Sequence, residues 1–413
     1  MTTCRLDRRL AWVLLAASVV LWVVLAAVLV PWQWVPGGHP VQVPATEVFT
    51  HAEIARAAGF ASVVRPLSWA SLAVSLVLLL VLGLTGLGAR LVSVMPRRLR
   101  IPLGVAGILL LQWLLTLPFL LLIRHQRLEE GLTKQPLVGW LRDQAVSLGV
   151  SWVATTVGLM LLVWLARRSP RYWFAWASLA GVVLTFTLSF LYPVLVEPLF
   201  NRFTPLPAGP LRTSILELAD REGVHVDDVL VADASRRTTT LNAYVSGFGN
   251  TKRVVLYDNL IRDLPQRQVE LVVAHELGHA KHRDVLLGTT LGAVGSVTGI
   301  CLLALLLDAE WLRWRGRFDG PADPRLVATV LLLVGVGSLL VAPLQNTVSR
   351  AIEARADRAS LAATGDTSGF VELQHSLAVS SLADPTPPAW AQFWWGSHPT
   401  ALQRIGIAKA LER

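Results

Sequence analysis

Residues 275–307 read HELGHAKHRDVLLGTTLGAVGSVTGICLLALLL, a polar motif that runs directly into a long apolar stretch. The motif is His275-Glu276-Leu277-Gly278-His279. Histidines four positions apart lie one turn apart on the same face of a helix, so both rings can bind one metal ion. The apolar stretch that follows is long enough to cross a bilayer, which takes roughly 20 residues. The sequence therefore predicts a metal site at a membrane surface.

Six further stretches are as long and as apolar. The 413 residues are 53% hydrophobic and 16% charged, whereas soluble domains are about 25% charged. The predicted spans are 10–30, 66–88, 101–123, 148–166, 172–196, 285–307 and 326–345. So many long stretches disfavour the alternative that some of them are buried helices of a soluble protein. The first span is too long for a signal peptide and has no small-residue cleavage site after it, which predicts a retained signal-anchor.

The net charge of +9 does not indicate a nucleic-acid partner. The basic residues flank the apolar stretches, as in loops that anchor membrane spans, and do not cluster on one face. Cys4 and Cys301, the two cysteines, predict neither a disulfide nor a cysteine zinc cluster. We expect a multi-pass protein of the cell membrane whose surroundings are the lipid bilayer.

One long polar segment, 197–284, separates the fifth and sixth spans. Its periodicity predicts a helix over 211–219, strands over 224–231 and 253–257, a turn over 246–250 and a helix over 266–282. After the last span we expect a helix over 346–364, a break at 385–388, a tryptophan-rich patch (Trp390, Trp394, Trp395) and a short terminal helix. The predicted divisions are 1–196 with five spans, 197–284 with the metal motif, 285–345 with two spans, and the helical segment 346–413.

The two histidines need a third protein ligand to make a catalytic zinc site. Glu276 projects about 100° away from His275 and can face a metal-activated water as general base. His282 is close in sequence, but its spacing does not match known ligand patterns. Glu353 is the better ligand, since it shares a helical face with Asp357, which could hold the other N–H of a ligand histidine. Alone, that segment is also compatible with a solvated charged helix.

Topology favours Glu353. His279 lies just before the sixth predicted span and Glu353 just after the seventh. Two crossings return the chain to the same side of the membrane, so the three side chains can meet.

These residues resemble the type I CAAX prenyl protease family of membrane zinc metalloendopeptidases and, more distantly, the HtpX-like membrane proteases. The resemblance covers most of the chain. Its motifs are Pro198-Leu199-Phe200-Asn201-Arg202-Phe203-Thr204-Pro205-Leu206, Asn242-Ala243-Tyr244, Lys252-Arg253-Val254-Val255-Leu256, His275 to His279, 346–357, Ser397-His398-Pro399 and Arg404-Ile405.

The resemblance implies a mainly α, polytopic membrane protein with seven transmembrane helices around a chamber and a small α+β protease domain of the gluzincin type. It also implies one Zn²⁺ per chain, held by His275, His279 and Glu353, with Glu276 as general base. Asp357 is then expected to orient a ligand histidine by accepting a hydrogen bond from the ring N–H that does not face the metal.

Two further assignments follow from the resemblance. The segment 242–248 is similar to the family's edge strand, where Asn242, Ala243, Tyr244, Val245 and Gly247 would bind an extended substrate by strand addition. An ordinary hairpin is the alternative. His398 and, less directly, Arg404 would stabilise the oxyanion, although a structural or helix-capping histidine fits the same sequence.

Substrate and orientation stay open at this point. The composition looks bacterial, whereas prenylated substrates are largely eukaryotic, so we expect a non-prenylated extended peptide or membrane protein as substrate. The N-terminus and the second, fourth and sixth loops carry fourteen Arg and Lys, against six in the first and third loops. The positive-inside rule then places the zinc domain outside the cytoplasm. The family's eukaryotic members are thought to have their active site on the cytosolic side.

Two other functions are compatible with parts of the sequence. Site-2 intramembrane proteases also carry this histidine motif, with a later Asp-Gly ligand, and Asp319-Gly320 is such a pair in a polar loop. A transporter or non-catalytic scaffold is the second alternative. It is disfavoured because the spans are almost free of charge and the expected ligands and base are all present.

Overall fold

The computed structural model describes residues 6–247 and 252–412. It is mainly helical, with one small sheet in the polar segment, and it confirms the predicted fold class. The helices are α1 (Arg8–Leu29), α2 (Ala45–Val48), α3 (His51–Leu84), α4 (Leu87–Ser93), α5 (Arg100–Glu129), α6 (Leu137–Arg168), α7 (Trp173–Leu195), α8 (Pro210–Arg221), α9 (Asp258–Asp263), α10 (Gln266–His282), α11 (Asp284–Leu307), α12 (Glu310–Gly316), α13 (Val327–Thr364), α14 (Thr367–Ser381), α15 (Ala389–Trp395) and α16 (Ala401–Leu411).

Seven of these helices are long and apolar enough to cross a membrane, as the sequence predicts: α1, α3, α5, α6, α7, α11 and α13. Several extend well beyond their apolar stretches. α3 begins at His51, where Thr50 and Glu53 form a capping box, and not at 66. Apolar composition marks only the part of a helix that lies in lipid, and favourable caps let the helix continue into the aqueous phase.

The seventh span and the predicted helix over 346–364 are one continuous helix. α13 passes through Pro343 without ending, and the hydroxyl of Thr347 donates to the Pro343 carbonyl in the next turn. A proline removes one helical hydrogen bond, but neighbouring donors can satisfy the freed carbonyls inside a membrane helix. The candidate ligand Glu353 therefore stands on the same rigid element as the last span.

Six of the spanning helices form a closed ring. Each packs against the next in the order α3, α5, α6, α7, α11, α13, and α13 returns to α3. The first span, α1, lies outside the ring against α11.

The apolar core of this ring lies at one end. It is built from the end of α3, the start of α5, the end of α6, the start of α7, the end of α11 and the start of α13, with Phe174, Leu307 and Leu326 fully buried. Toward the other end, the described part of α7 has no buried residue beyond Ser178. The helices therefore seal one end and enclose a chamber toward the polar segment.

The polar segment forms a four-stranded sheet in the order β1-β2-β4-β3. Its strands are β1 (Phe203–Pro205), β2 (Asp228–Ala232), β3 (Ala243–Ser246) and β4 (Arg253–Tyr257). β2 and β4 are parallel, with Leu230 opposite Val255, and the outer strands are antiparallel to them. β2 is shorter than the predicted 224–231, β1 has too few residues to show an alternating pattern, and part of the predicted turn over 246–250 lies outside the described residues.

α8 and α10 cover one face of this sheet. Val269, Val273 and Leu277 of α10 are buried against Val254 and Leu256 of β4. α10 begins at Gln266 and ends at His282, as its periodicity predicts. The sheet thus fixes α10 along its apolar side and leaves the opposite side, with the histidine motif, facing α13.

Candidate active site

α10 and α13 approach each other closely at the histidine motif. A Cβ atom on Gly278 would lie 2.8 Å from the Cβ of Ala359, so only glycine permits this separation. The Ser360 hydroxyl donates to the Leu271 carbonyl over 2.8 Å and ties α13 to α10 two turns before Gly278. The glycine inside the motif therefore sets the distance between the two helices.

This approach places His275, His279 and Glu353 side by side. One potential ligand atom from each residue lies within 4.8 Å of the others. The two histidine Nε2 atoms are 3.2 Å apart, and the Glu353 carboxylate oxygens lie 3.3 Å from Nε2 of His275 and 3.5 Å from Nε2 of His279. The three side chains that the sequence nominates as metal ligands thus converge on one point.

Each histidine is held from behind by a carboxylate. Nδ1 of His275 lies 3.0 Å from Asp357, which is completely buried. Nδ1 of His279 lies 2.8 Å from Asp284, the first residue of α11. Asp357 occupies the position expected from the sequence, whereas Asp284 was not predicted. Its only signal is a carboxylate five positions after His279, a spacing that no simple rule connects with a histidine partner.

These contacts make the site suitable for a cation. In the neutral form of each ring, with Nδ1 donating to its carboxylate, the lone pair of Nε2 points toward the other histidine. Oε2 of Glu353 is buried and has no hydrogen-bond partner among the described residues. Burial lowers the pKa of His275, yet the neighbouring carboxylates of Asp357 and Glu353 outweigh this and raise it to about 10. The pocket therefore stabilises positive charge, and two imidazoles with one carboxylate are a donor set typical of zinc.

Glu276 follows His275 on α10 and is only partly accessible to solvent. Burial raises the pKa of its carboxyl group, and the nearby charges of His275 and His279 lower it by less. A carboxylate with a raised pKa beside a metal site is suited to accept a proton from water near neutral pH.

The C-terminal helices bring two more side chains to the site. Arg350 of α13 donates to the carbonyls of Gln392 and Gly396 over 3.1 and 2.6 Å, and this fixes the end of α15. Nε2 of His398, two residues later, lies 3.5 Å from Oε2 of Glu353. The side chain of His398 is 60% exposed and can contact a bound molecule.

Arg404 lies one turn into α16, after a capping box formed by Thr400 and Gln403. Its Nε donates to both oxygens of Asp357 over 3.1 and 2.9 Å, and Nη2 lies 3.4 Å from Nδ1 of His275. The structure therefore places this guanidinium on the buried carboxylate behind the histidine. Its expected role at the oxyanion stays a prediction.

β3 is the edge strand of the sheet, and among the described strands it pairs only with β4. Ala243 is buried, Tyr244 and Val245 are half-buried, and Gly247 has a φ of +97°, which favours glycine. The Asn242 carbonyl accepts from the Tyr257 amide over 3.0 Å. Phe248, the last residue of the predicted substrate strand, lies outside the described residues.

Tyr244 has a partner that the sequence does not indicate. Its hydroxyl donates to Glu197, in the turn after α7, over 2.6 Å. Burial and this bond raise the pKa of Tyr244, so the phenol stays protonated. The bond ties the edge strand to the end of the fifth span.

Two other residues named from the sequence lie apart from this group. His282 does not belong to the three-residue cluster, and burial lowers its pKa. Asp319 pairs with Arg325 over 2.6 Å in the loop between α11 and α13, at the other end of the ring. It therefore does not meet the histidines as a site-2 ligand would.

Comparison with known proteins gives consistent matches over nearly the whole chain. The model of peptidase family M48 matches residues 205–412, and the model "CAAX prenyl protease N-terminal, five membrane helices" matches residues 42–202. An uncharacterized metalloprotease, YhfN of Bacillus subtilis, is 32% identical over 305 residues, 73% of this chain and 72% of the relative.

A CAAX prenyl protease 1 homolog of Dictyostelium discoideum is 30% identical over 280 residues, 64% of this chain and 62% of the relative. The crystal structure of S. mikatae Ste24p matches with a TM-score of 0.75 at 19% identity and covers 96% of this chain and 98% of that one. These matches confirm the resemblance predicted from the sequence, and the structural match supports the fold.

Proposed function

The chain belongs to peptidase family M48, and from this membership we propose an integral-membrane zinc endopeptidase that hydrolyses peptide bonds with an activated water and no covalent intermediate. The family and the seven spans make it a membrane metalloprotease. The observation that carries the finer proposal is the convergence of His275, His279 and Glu353, with one potential ligand atom of each within 4.8 Å of the others.

The residues present fit one zinc ion held by these three side chains. When bound, zinc supplies a Lewis acid that lowers the pKa of water to about 7 and polarises a carbonyl group. Asp357 and Asp284 keep Nε2 of each histidine free for the metal by accepting hydrogen bonds at Nδ1.

Glu276 is the proposed general base. Its carboxylate accepts the proton of the attacking water and then returns it to the leaving amine, which conserves the proton within the site. His398, exposed beside Glu353, is placed to donate to the oxygen of the substrate carbonyl as negative charge develops there. Arg404 holds Asp357 in place and thereby acts through His275.

β3 is the proposed binding strand for the substrate. Within the segment of Asn242, Ala243, Tyr244, Val245 and Gly247, the backbone of Asn242 bonds to β4. The alternate residues, beginning with Ala243 and Val245, therefore direct their backbone groups to the outer edge, where an extended peptide can pair as a fifth strand. Such pairing uses the peptide backbone and tolerates many side chains. We therefore propose an extended peptide or membrane-protein segment, without a required prenyl group, as substrate. A bacterial metalloprotease among the relatives supports this choice.

We propose the plasma membrane as the location, with the zinc domain outside the cytoplasm. Support comes from the thirteen arginines among the described residues at the end of the ring that lies opposite the site. A protease cleavage site introduced into the 308–325 loop should resist digestion added to intact spheroplasts and be cut after lysis. Cutting before lysis would reverse the orientation.

The Glu276→Gln variant tests the mechanism. We expect proteolysis to fall by about 10²–10⁴-fold, because a general base is lost, while zinc content measured by mass spectrometry stays at one ion per chain. Membrane proteomics with this variant should identify uncleaved polypeptides bound to it. Unchanged cleavage would refute the base assignment. Absence of zinc from the wild-type protein would refute the metalloenzyme and leave a membrane scaffold or transporter.

A further inference from the structure

Nearly all of the net charge of the chain lies at the sealed end of the ring. We define the arginine face as residues 6–9, 86–100, 167–172 and 308–325, which join the spans at that end. It contains thirteen arginines, no lysine and five carboxylates, a net charge of +8. The rest of the sequence contains twenty-four basic and twenty-three acidic side chains and is therefore almost neutral.

Many of these arginines have no acidic partner among the described residues. Arg8, Arg171 and Arg325 use four of the five carboxylates, namely Asp308, Asp7, Asp319 and Asp323. The exposed arginines without an ion pair in the described part of the face are Arg9, Arg90, Arg97, Arg98, Arg167, Arg168, Arg315 and Arg317. Intramolecular pairing therefore leaves a large excess of positive charge for an external anion.

Apolar side chains are interleaved with these charges. Leu87, Val94 and Leu99 are exposed around α4, beside Arg90 and the pair that follows it. Trp311 and Trp314 on α12 are 58% and 74% exposed. Alternating arginine with tryptophan and leucine is typical of a surface at the level of lipid headgroups.

A shallow depression of about 580 Å³ lies in this face between α12 and the start of the seventh span. Arg313, Arg317 and Arg325 line it together with Trp314, Phe318, Glu310 and Asp319. Its two acidic residues keep it from being uniformly basic. Even so, Arg313 and Arg317 have no ion pair among the described residues.

Arg317 occupies this position at a conformational cost. Its φ of +55° and ψ of 48° are left-handed, at the end of α12, where glycine is the usual residue. Its side chain packs over Gly86. A non-glycine residue in this conformation suggests that its side chain has a role that offsets the strain.

We infer that the arginine face binds anionic phospholipid headgroups, and that the depression beneath Arg313 and Arg317 is the site of one such headgroup. Guanidinium groups pair with phosphodiesters in bidentate fashion, and exposed tryptophans are typical of the membrane–water interface. A membrane lipid is favoured over a free phosphate because the exposed apolar side chain of Trp314 lines the depression beside the arginines.

The test compares two arginines that share one backbone conformation. Arg317→Gly removes a charge and the strain at the sealed end. Arg283→Gly does the same at the other end, where φ is +56° and ψ is 41° before α11. Arg313→Gln tests the second side chain without changing the backbone. The purified full chain is titrated with phosphatidylglycerol and with phosphatidylcholine, and bound lipids are counted by native mass spectrometry.

We expect wild type and Arg283→Gly to prefer phosphatidylglycerol. Arg317→Gly and Arg313→Gln should each lose about fivefold in that preference, and Arg317→Gly should melt no lower in neutral detergent. Equal binding of both lipids to wild type would overturn the proposal. An equal loss of this preference in Arg283→Gly would also overturn it, because the preference would then depend on the total charge of the protein and not on a site at the sealed end. Displacement of phosphatidylglycerol by millimolar inorganic phosphate would identify a free-phosphate site instead.

Discussion

The two ends of the helical ring are built on opposite principles. At the sealed end, buried apolar side chains such as Phe174 and Leu307 fill the space between helices, and the charges stand outside with few partners. At the chamber end, buried charges at the site meet opposite charges, as with Asp357 and Arg404. The sealed end can therefore hold the spans together, while the chamber end holds polar chemistry in a fixed geometry.

The largest expected effect concerns paired charge at the chamber end. Asp357→Asn should lower the free energy of unfolding by about 3–5 kcal/mol, because it leaves the buried guanidinium of Arg404 without its partner. Zinc affinity should fall by about 10–100-fold as His275 loses its orienting carboxylate. Denaturation and competition with a zinc chelator measure the two effects.

The matched control is an ion pair at the sealed end. Asp308→Asn removes the partner of Arg8, whose side chain is 60% exposed, and should change stability by less than about 1 kcal/mol. If both variants lost the same stability, the contrast between buried and exposed charge would be wrong.

The second prediction concerns packing at the sealed end. Leu307→Ala should cost about 2 kcal/mol, since it opens a cavity in a fully buried layer. Its kcat and KM on a short soluble peptide should stay close to wild type at a temperature where both are folded. Leu286→Ala, on the same helix but 40% exposed near the site, should leave the melting temperature almost unchanged. A larger loss of stability in Leu286→Ala than in Leu307→Ala would contradict the assignment of the packed apolar core to the end of the ring that holds Leu307.

The smallest expected effect concerns the edge strand. Tyr244→Phe removes the hydrogen bond to Glu197 and keeps the aromatic ring. The bound position of the edge strand should therefore lose about 1 kcal/mol of stabilisation. We expect KM for an extended peptide to rise about fivefold with little change in kcat. Tyr257→Phe removes a hydroxyl from the neighbouring strand as a comparison. A fall in kcat alone would place Tyr244 in the chemical step, contrary to a positioning role.

The sequence predicts the parts of this molecule whose signals are local. The histidine motif, the seven apolar stretches and the helix over 266–282 depend on neighbouring residues, and the structure contains all of them. The prediction of Glu353 as a ligand required only that two membrane crossings return the chain to the side of the membrane that holds the histidine motif.

What the sequence does not predict depends on distant contacts. Asp284 becomes a histidine partner only because α11 begins directly after the αL residue Arg283. β1 is three residues long and is defined by its pairing with β2. The continuity of α13 through Pro343 is invisible to a hydropathy criterion, which ends the span where polar residues begin. The link between Tyr244 and Glu197 likewise joins segments with no shared pattern.

The unbroken course of α13 has a mechanical consequence. Val327 lies in the sealed core, and Glu353 stands 26 residues later on the same helix, about 39 Å along its axis at 1.5 Å per residue. That distance exceeds the hydrocarbon thickness of a bilayer, about 30 Å, so the helix is long enough to hold the reaction centre outside the acyl chains. A thicker or thinner membrane changes the tilt of this rod and thereby the height at which a peptide must present its scissile bond.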